Sequence, residues 1–301
     1  MSLSKISIGN WLNIDTNNFS KYRSIIEYAY KNNINTFDTA SSYNFGEESL
    51  GYAIKNIDRK KIILSTKYYN VEDNNFEKGI SPSYLKKYIH ESLEKISTKY
   101  LDIIFIHNFT KEIKIEPIME SINSFYNSGK IKNWGICRWP KESINEAYEI
   151  SKKKNYIPPK YYQGVFNLFN LKEDQINFLS FLNKKNIRLL GYSPLARGVL
   201  TNKYIKSIPN DSRAKDKEKL KFMYDFTSEN IELIDSLKPL AERYRCTVTQ
   251  LVFSFLLSYN LDTIITGVRS TDQLDEIINS EKISLDLKTK NTIKKKFNIY
   301  G

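Results

Sequence analysis

Eight short apolar runs recur along this chain of 301 residues, and segments with helical spacing separate them. They are Ile6–Gly9, Asn35–Asp38, Ile62–Lys67, Leu101–His107, Ile131–Cys137, Tyr161–Phe166, Ile187–Tyr192 and Thr263–Thr266. Strands joined through helices pair in parallel, because a parallel pair needs a crossover connection. Leu101–His107 carries too few polar residues for a half-exposed strand, so both of its faces are expected to be buried. An open dinucleotide-binding sheet would show Gly-x-Gly-x-x-Gly after its first strand, and none stands there. Eight units fit a closed α/β architecture, one (βα)8 TIM barrel over residues 1–301.

The intervening segments read as helices. Asn18 to Tyr30 places Tyr22, Ile25, Ile26 and Ala29 on one face. Ser81-Pro82-Ser83 is an N-cap with proline at the first helical position. Glu116 to Asn127 ends at a glycine cap, Gly129. Lys141–Lys153, Lys172–Asn183, Ser228–Tyr244, Thr249–Ser258 and Ser270–Asn279 complete the set. Ser193 to Asp225 reads as a long polar loop whose middle, Ser207 to Arg213, has little apolar material to pack. A loop of that length in a compact domain is usually functional or disordered.

Charge and composition narrow the function classes. The net charge is +12, but the lysines are spread along the chain, with modest clusters at Lys152–Lys154 and Lys294–Lys296. That distribution describes a solvated basic surface rather than a nucleic-acid groove, and it steers anionic ligands. The cysteines, Cys137 and Cys246, have no metal-binding spacing and read as reduced thiols. No apolar run reaches the ~18 residues of a membrane span, and the first residues lack the apolar core of a signal peptide. A cytoplasmic protein without membrane or nucleic-acid partners is expected.

The stretch from Asn35 to Glu47 concentrates the chemistry. Phe37 reads as inward, Asp38 ends the strand, and Tyr43 follows in a loop of small and polar residues. Lys67 ends the third strand, and His107, one of only two histidines, ends the fourth. Catalytic groups of such barrels sit at C-terminal strand ends. Taken singly, each of these residues is more often a cap, a salt-bridge partner or a packing group. Together they have complementary needs. Tyrosine, with a reference pKa of ~10, exchanges protons poorly near neutrality, and a nearby ammonium favours its phenolate. A carboxylate keeps that ammonium charged, and a histidine can hydrogen-bond a carbonyl oxygen or relay its proton. His90, the other histidine, lies in a helix and reads as a surface residue.

Asp38, Tyr43, Lys67 and His107 resemble the catalytic tetrad of the aldo-keto reductase superfamily. Further similarities run from about Ile6 to Glu276. They include Phe37-Asp38-Thr39-Ala40, Gly46 with Glu48 and Leu50-Gly51, Ser128-Gly129-Lys130-Ile131, Trp134-Gly135, Tyr192-Ser193-Pro194-Leu195-Ala196, and Gly267 followed by Gln273-Leu274 and Glu276. The resemblance implies reduction of a small carbonyl substrate by hydride from NADPH, rather than NADH, with Tyr43 as general acid. It places Gln163 and the turn at Cys137-Arg138 near the nicotinamide carboxamide, and Tyr192 against the nicotinamide ring. Ser193, Leu195 and Gly198 would cover the pyrophosphate, Gly267 and Arg269 with Gln273 would take the 2′-phosphate, and Glu276 the adenine, while Trp11 borders the nucleotide. Departures are Cys137-Arg138 where many members have Ser-Asn, Ile277 where asparagine is common, and the lack of an N-terminal β-hairpin before Ile6. The arginine occurs in members resembling potassium-channel β subunits, so a nucleotide-binding regulatory protein with slow turnover is the alternative. A Schiff-base aldolase using Lys67 is a third reading. The pocket would be lined around Trp11, Tyr43, Tyr68, Phe109, Trp139 and residues 207–225, and nothing there names a substrate or an oligomeric state.

Overall fold

Strand β1 (Ile6–Gly9) pairs in parallel with β2 (Thr36–Asp38), and the pattern continues through β3 (Ile63–Tyr68), β4 (Leu101–Ile106), β5 (Ile131–Cys137), β6 (Tyr161–Val165), β7 (Arg188–Tyr192) and β8 (Thr263–Thr266). β8 returns to β1, with Ile6 opposite Ile264, so the sheet closes in sequence order. The structure, a computed structural model, describes residues 2–11, 18–68, 81–110, 113–210 and 212–299. Helices α1 (Phe19–Lys31), α2 (Gly46–Ile54), α3 (Pro82–Lys95), α4 (Ile115–Asn127), α5 (Lys141–Lys154) and α6 (Glu173–Lys184) each join one strand to the next. Between β7 and β8 lie α7 (Lys217–Leu220), α8 (Ser228–Asp235), α9 (Lys238–Arg243) and α10 (Val248–Leu257), and α11 (Thr271–Asn279) and α12 (Leu287–Phe297) follow β8.

Local chemistry starts these helices where the sequence places them. The Ser81 hydroxyl accepts from the Tyr84 N–H, and Thr247 and Gln250 form a reciprocal capping box. Two helical segments differ from the sequence reading. Ser228–Tyr244 is not one helix: α8 ends before Pro239, which occupies the first turn of α9 and has no N–H to continue the preceding ladder. Helix α12 has no counterpart in the sequence reading, because its buried Ile293 and Phe297 are outnumbered by lysines.

The strands' two-residue period divides them between two cores. Phe37, Leu64, Ile104, Trp134, Leu189 and Ile264 join the helices in the larger cluster. Ile63, Ile103, Phe105, Tyr161, Leu190 and Ile265 form a second cluster, which fills the lumen. Phe37 is therefore buried towards the helices rather than inward, and it is Asp38 that faces the lumen. Among the described residues no strand precedes β1. Instead Leu3 joins the lumen cluster from below, held by Ser4 N–H to Asn35 Oδ1 (3.0 Å) and Asn35 Nδ2 to Ser2 O (3.0 Å).

The segment after β7 is a packed strap, not a structureless loop. It contains 3-10 turns at Ala196–Gly198, Asn202–Tyr204 and Arg213–Lys215 before α7. Leu200, Tyr204, Ala214 and Met223 are buried, so the apolar residues flanking the polar middle supply its packing.

Candidate active site

At the C-terminal ends of β2 and β3, Asp38 and Lys67 form an ion pair and both are buried. Every polar atom of the pair is engaged. Lys67 Nζ also donates to Thr39 O (2.7 Å), and Asp38 Oδ1 accepts from Ser65 Oγ (2.6 Å) and Gln163 Nε2 (3.1 Å). Ser65 lies two residues before Lys67, so strand alternation puts both on the lumen face. Burial works against the Lys67 ammonium, but Asp38 beside it holds its pKa above the ordinary lysine value.

Tyr43 is carried by a tight turn between β2 and α2. Tyr43 N–H donates to Ala40 O (3.0 Å), Gly46 N–H to Tyr43 O (2.9 Å), and Asn10 Nδ2, from the end of β1, to Gly46 O (2.7 Å). A side chain at Gly46 would sit 2.7 Å from Tyr43 Cβ, so the turn needs glycine there. Lys67 Nζ lies 4.9 Å from the centroid of the Tyr43 ring, and the His107 ring stands edge-on to it at 6.1 Å. All four tetrad residues expected from the sequence thus converge.

The expected depression of the Tyr43 pKa by Lys67 is not the net result. Burial pushes the phenol up to about 12, with Lys67 only opposing that rise. His107 is pulled down to about 3, by burial first and then by Lys67 and Arg138. It is therefore neutral near pH 7 and able to donate one hydrogen bond. Because the folded value lies below the ~6.5 of free histidine, the unfolded chain takes up the proton first. Stability from this group is complete above about pH 6.5 and declines as the pH falls towards about 3. His107→Gln is expected to flatten that part of the acid limb, measured by urea midpoints from pH 7 to pH 4. An unchanged slope would mean that His107 is not held neutral.

The remaining expected residues lie on β5, β6 and β7 and in the segments that follow β5, β7 and β8. Cys137 is buried at the end of β5, and burial pushes its thiol up to about 12. Arg138 has a left-handed backbone (φ 59°), and its Nη2 and Nε donate to Tyr192 Oη at 2.9 and 3.2 Å. Gln163 reaches Asp38. Ser193 accepts Asn167 Nδ2 (3.1 Å) on its carbonyl, and Leu195 O accepts the Gly198 N–H (2.7 Å). Gly198 has φ +100°, and a Cβ there would lie 2.7 Å from Lys203 Nζ. Gly267 is exposed after β8, Arg269 N–H donates to Gln273 Oε1 (2.9 Å), and Glu276 Oε1 accepts from Thr247 Oγ1 (2.6 Å). Ile277 is buried in the core, so no polar group replaces the asparagine common at that position.

Sequence reasoning missed the partners that irregular segments supply. Arg213 is held near Arg269 and Arg197, with burial first and those two charges next pulling its pKa below the ordinary arginine value. Arg197 lies 5.6 Å from the Trp11 ring and 4.8 Å from Tyr224, while Phe222 meets Trp11 edge-on at 5.5 Å. The strap therefore crosses beyond β8 to reach the end of β1. Trp139 and Tyr68, expected on the pocket wall, are buried; Trp139 meets Phe109 edge-on at 5.3 Å. Among the described residues no group of three acids, histidines or cysteines could hold a metal ion, and no helix is long and apolar enough to cross a membrane.

The family model for the Aldo/keto reductase family matches residues 5–298. A curated relative from Arabidopsis thaliana, described as a probable voltage-gated potassium channel subunit beta, is 28% identical over 284 residues. That match covers 92% of this chain and 87% of the relative.

Proposed function

We propose that this chain, which belongs to the aldo/keto reductase family, reduces an aldehyde or ketone to an alcohol with NADPH, with Tyr43 as general acid. Membership itself supports an oxidoreductase that uses a nicotinamide nucleotide. The observation that carries the finer reading is the buried Asp38–Lys67 pair against Tyr43, with neutral His107 alongside.

The rim fits the nucleotide. Arg269 and Arg197 both act on Arg213, and this concentration of positive charge suits a polyanion. Gly198 leaves room for a close approach to backbone N–H groups beside Lys203. In this reading Arg269, Arg213 and Gln273 hold the 2′-phosphate, and Ser193, Leu195, Gly198 and Lys203 hold the pyrophosphate. Gly267 opens the phosphate turn, Glu276 borders the adenine and Trp11 closes the rim. Tyr192 would lie against the nicotinamide, with Gln163 and the Cys137-Arg138 turn beside its carboxamide. Bound NADPH would supply the hydride.

The chain's own residues handle the proton. Neutral His107 donates a hydrogen bond to the carbonyl oxygen and orients it. Tyr43, protonated because burial holds its pKa high, gives its proton to that oxygen as negative charge develops there. The phenolate left behind faces the Lys67 ammonium, which Asp38 keeps charged and in place. A panel of aldehydes and ketones followed by loss of NADPH absorbance tests this reading; no turnover of any member would overturn it. The similarity to a probable channel β subunit favours a second reading, a nucleotide-binding regulatory subunit. Tight NADPH binding with no turnover across the panel would select it.

The cofactor assignment carries its own expectation. Arg269→Ala should weaken NADPH binding by about 1.5–3 kcal/mol, the range for a hydrogen bond to a charged group. NADH, which lacks the 2′-phosphate, should bind as before. Fluorescence titration with both nucleotides checks this, and equal losses would remove Arg269 from the phosphate site.

A further inference from the structure

The charges at the reacting end of the pocket do not cancel. Lys67 and Asp38 neutralise each other, and Tyr43 and His107 are uncharged near pH 7. Arg138 adds a full positive charge to this group, close enough to act on both His107 and Tyr43. Other cations stand elsewhere: Arg197 in the strap and Arg269 after β8 both act on Arg213, and Lys203 adjoins Gly198.

Arg138 is also held in an unusual way. Its left-handed backbone is a conformation that non-glycine residues keep only where the surroundings impose it. Arg138 is exposed as a residue, and its Nε and Nη2 both donate to one oxygen, the Tyr192 hydroxyl. That contact fixes the plane of the fork without supplying a counter-charge. A guanidinium has five N–H donors, so donors remain for a second acceptor. A nicotinamide carboxamide beside the turn is neutral and calls for no cation.

Resting on the reductase reading above, we infer that the carbonyl compound reduced here carries a carboxylate, and that the Arg138 side chain binds it. A carboxylate matches the fork in geometry and in charge. It takes no part in the bond changes. The hydride joins the carbonyl carbon, the π electron pair moves to oxygen, and the Tyr43 proton completes the alcohol.

The test compares 3- and 4-carboxybenzaldehyde with their methyl esters, using NADPH. The acids should be preferred in kcat/KM by about 10-fold or more, the lower end for a hydrogen bond to a charged group. The preference should shrink as salt is raised. Arg138→Met should bring the acid-to-ester ratio close to one, whichever way the ester rate itself moves. Arg138→Lys should keep part of the preference, because it retains the charge without the fork. A wild-type ratio near one, or a preference that survives in Arg138→Met, would overturn the inference.

Calorimetric binding of terephthalate to the NADP+-loaded protein separates this inference from the reading beneath it. If no aldehyde is reduced but terephthalate binds and loses affinity in Arg138→Met, the carboxylate site stands and the reductase reading fails. If the esters are reduced without preference for the acids, the carboxylate site fails and the reductase reading stands. No turnover together with no binding overturns both.

Discussion

Tyr43→Phe is expected to lower kcat by at least the ~10²-fold typical of losing a general acid. The substitution removes one hydroxyl and keeps the ring that faces Lys67 at 4.9 Å and His107 at 6.1 Å. The turn that carries residue 43 is held by backbone bonds and by Asn10, none of which uses the phenol oxygen. NADPH affinity and thermal stability should therefore stay close to wild type. Steady-state reduction of a competent aldehyde, paired with fluorescence titration of NADPH, reads both quantities. Near-normal turnover would remove Tyr43 from the proton transfer.

Lys67→Met should damage the protein in two measurable ways. Asp38 would remain buried with Ser65 and Gln163 but without its cation. Breaking a buried pair by removing one partner costs about 3–5 kcal/mol, which urea unfolding resolves. Turnover should also fall, because no ammonium would face the Tyr43 phenolate. The double variant Lys67→Met with Asp38→Asn should recover part of the stability and none of the activity. A single variant as stable as wild type would contradict the buried pair. The wild-type pair has an alkaline signature as well. Since the folded Lys67 pKa is raised, its contribution is complete below the ~10.4 of a free lysine. It is lost only as pH rises through the higher folded value.

What the sequence revealed, and what it concealed, follow from regularity. Asp38, Lys67 and His107 stand at the ends of apolar runs, where strand period and barrel geometry predict their convergence. Gln163 lies in the middle of its run, and its bond to Asp38 joins positions 125 residues apart and leaves no local pattern. Arg213 and Lys203 sit in a strap built from short turns, where periodicity carries no information. The sign of the Tyr43 shift was hidden for a different reason. A lysine nearby can be guessed from sequence, whereas the desolvation that outweighs it depends on how the whole rim packs. Trp139 illustrates the converse: its position beside Arg138 places it near the site, but its ring turns into the core against Trp134 and Phe109.

Leu3 sits under the lumen at the end of the barrel remote from Tyr43, and Ser2 and Ser4 are hydrogen-bonded to Asn35 there. Ser2, ahead of Leu3, lies at the face opposite Tyr43. Immobilising the protein on a resin or an electrode through that end would turn every molecule mouth-outward. Reagents would then diffuse to the rim from bulk solution without passing the support. Attachment through the strap lysines would have the opposite result, pressing the rim against the solid.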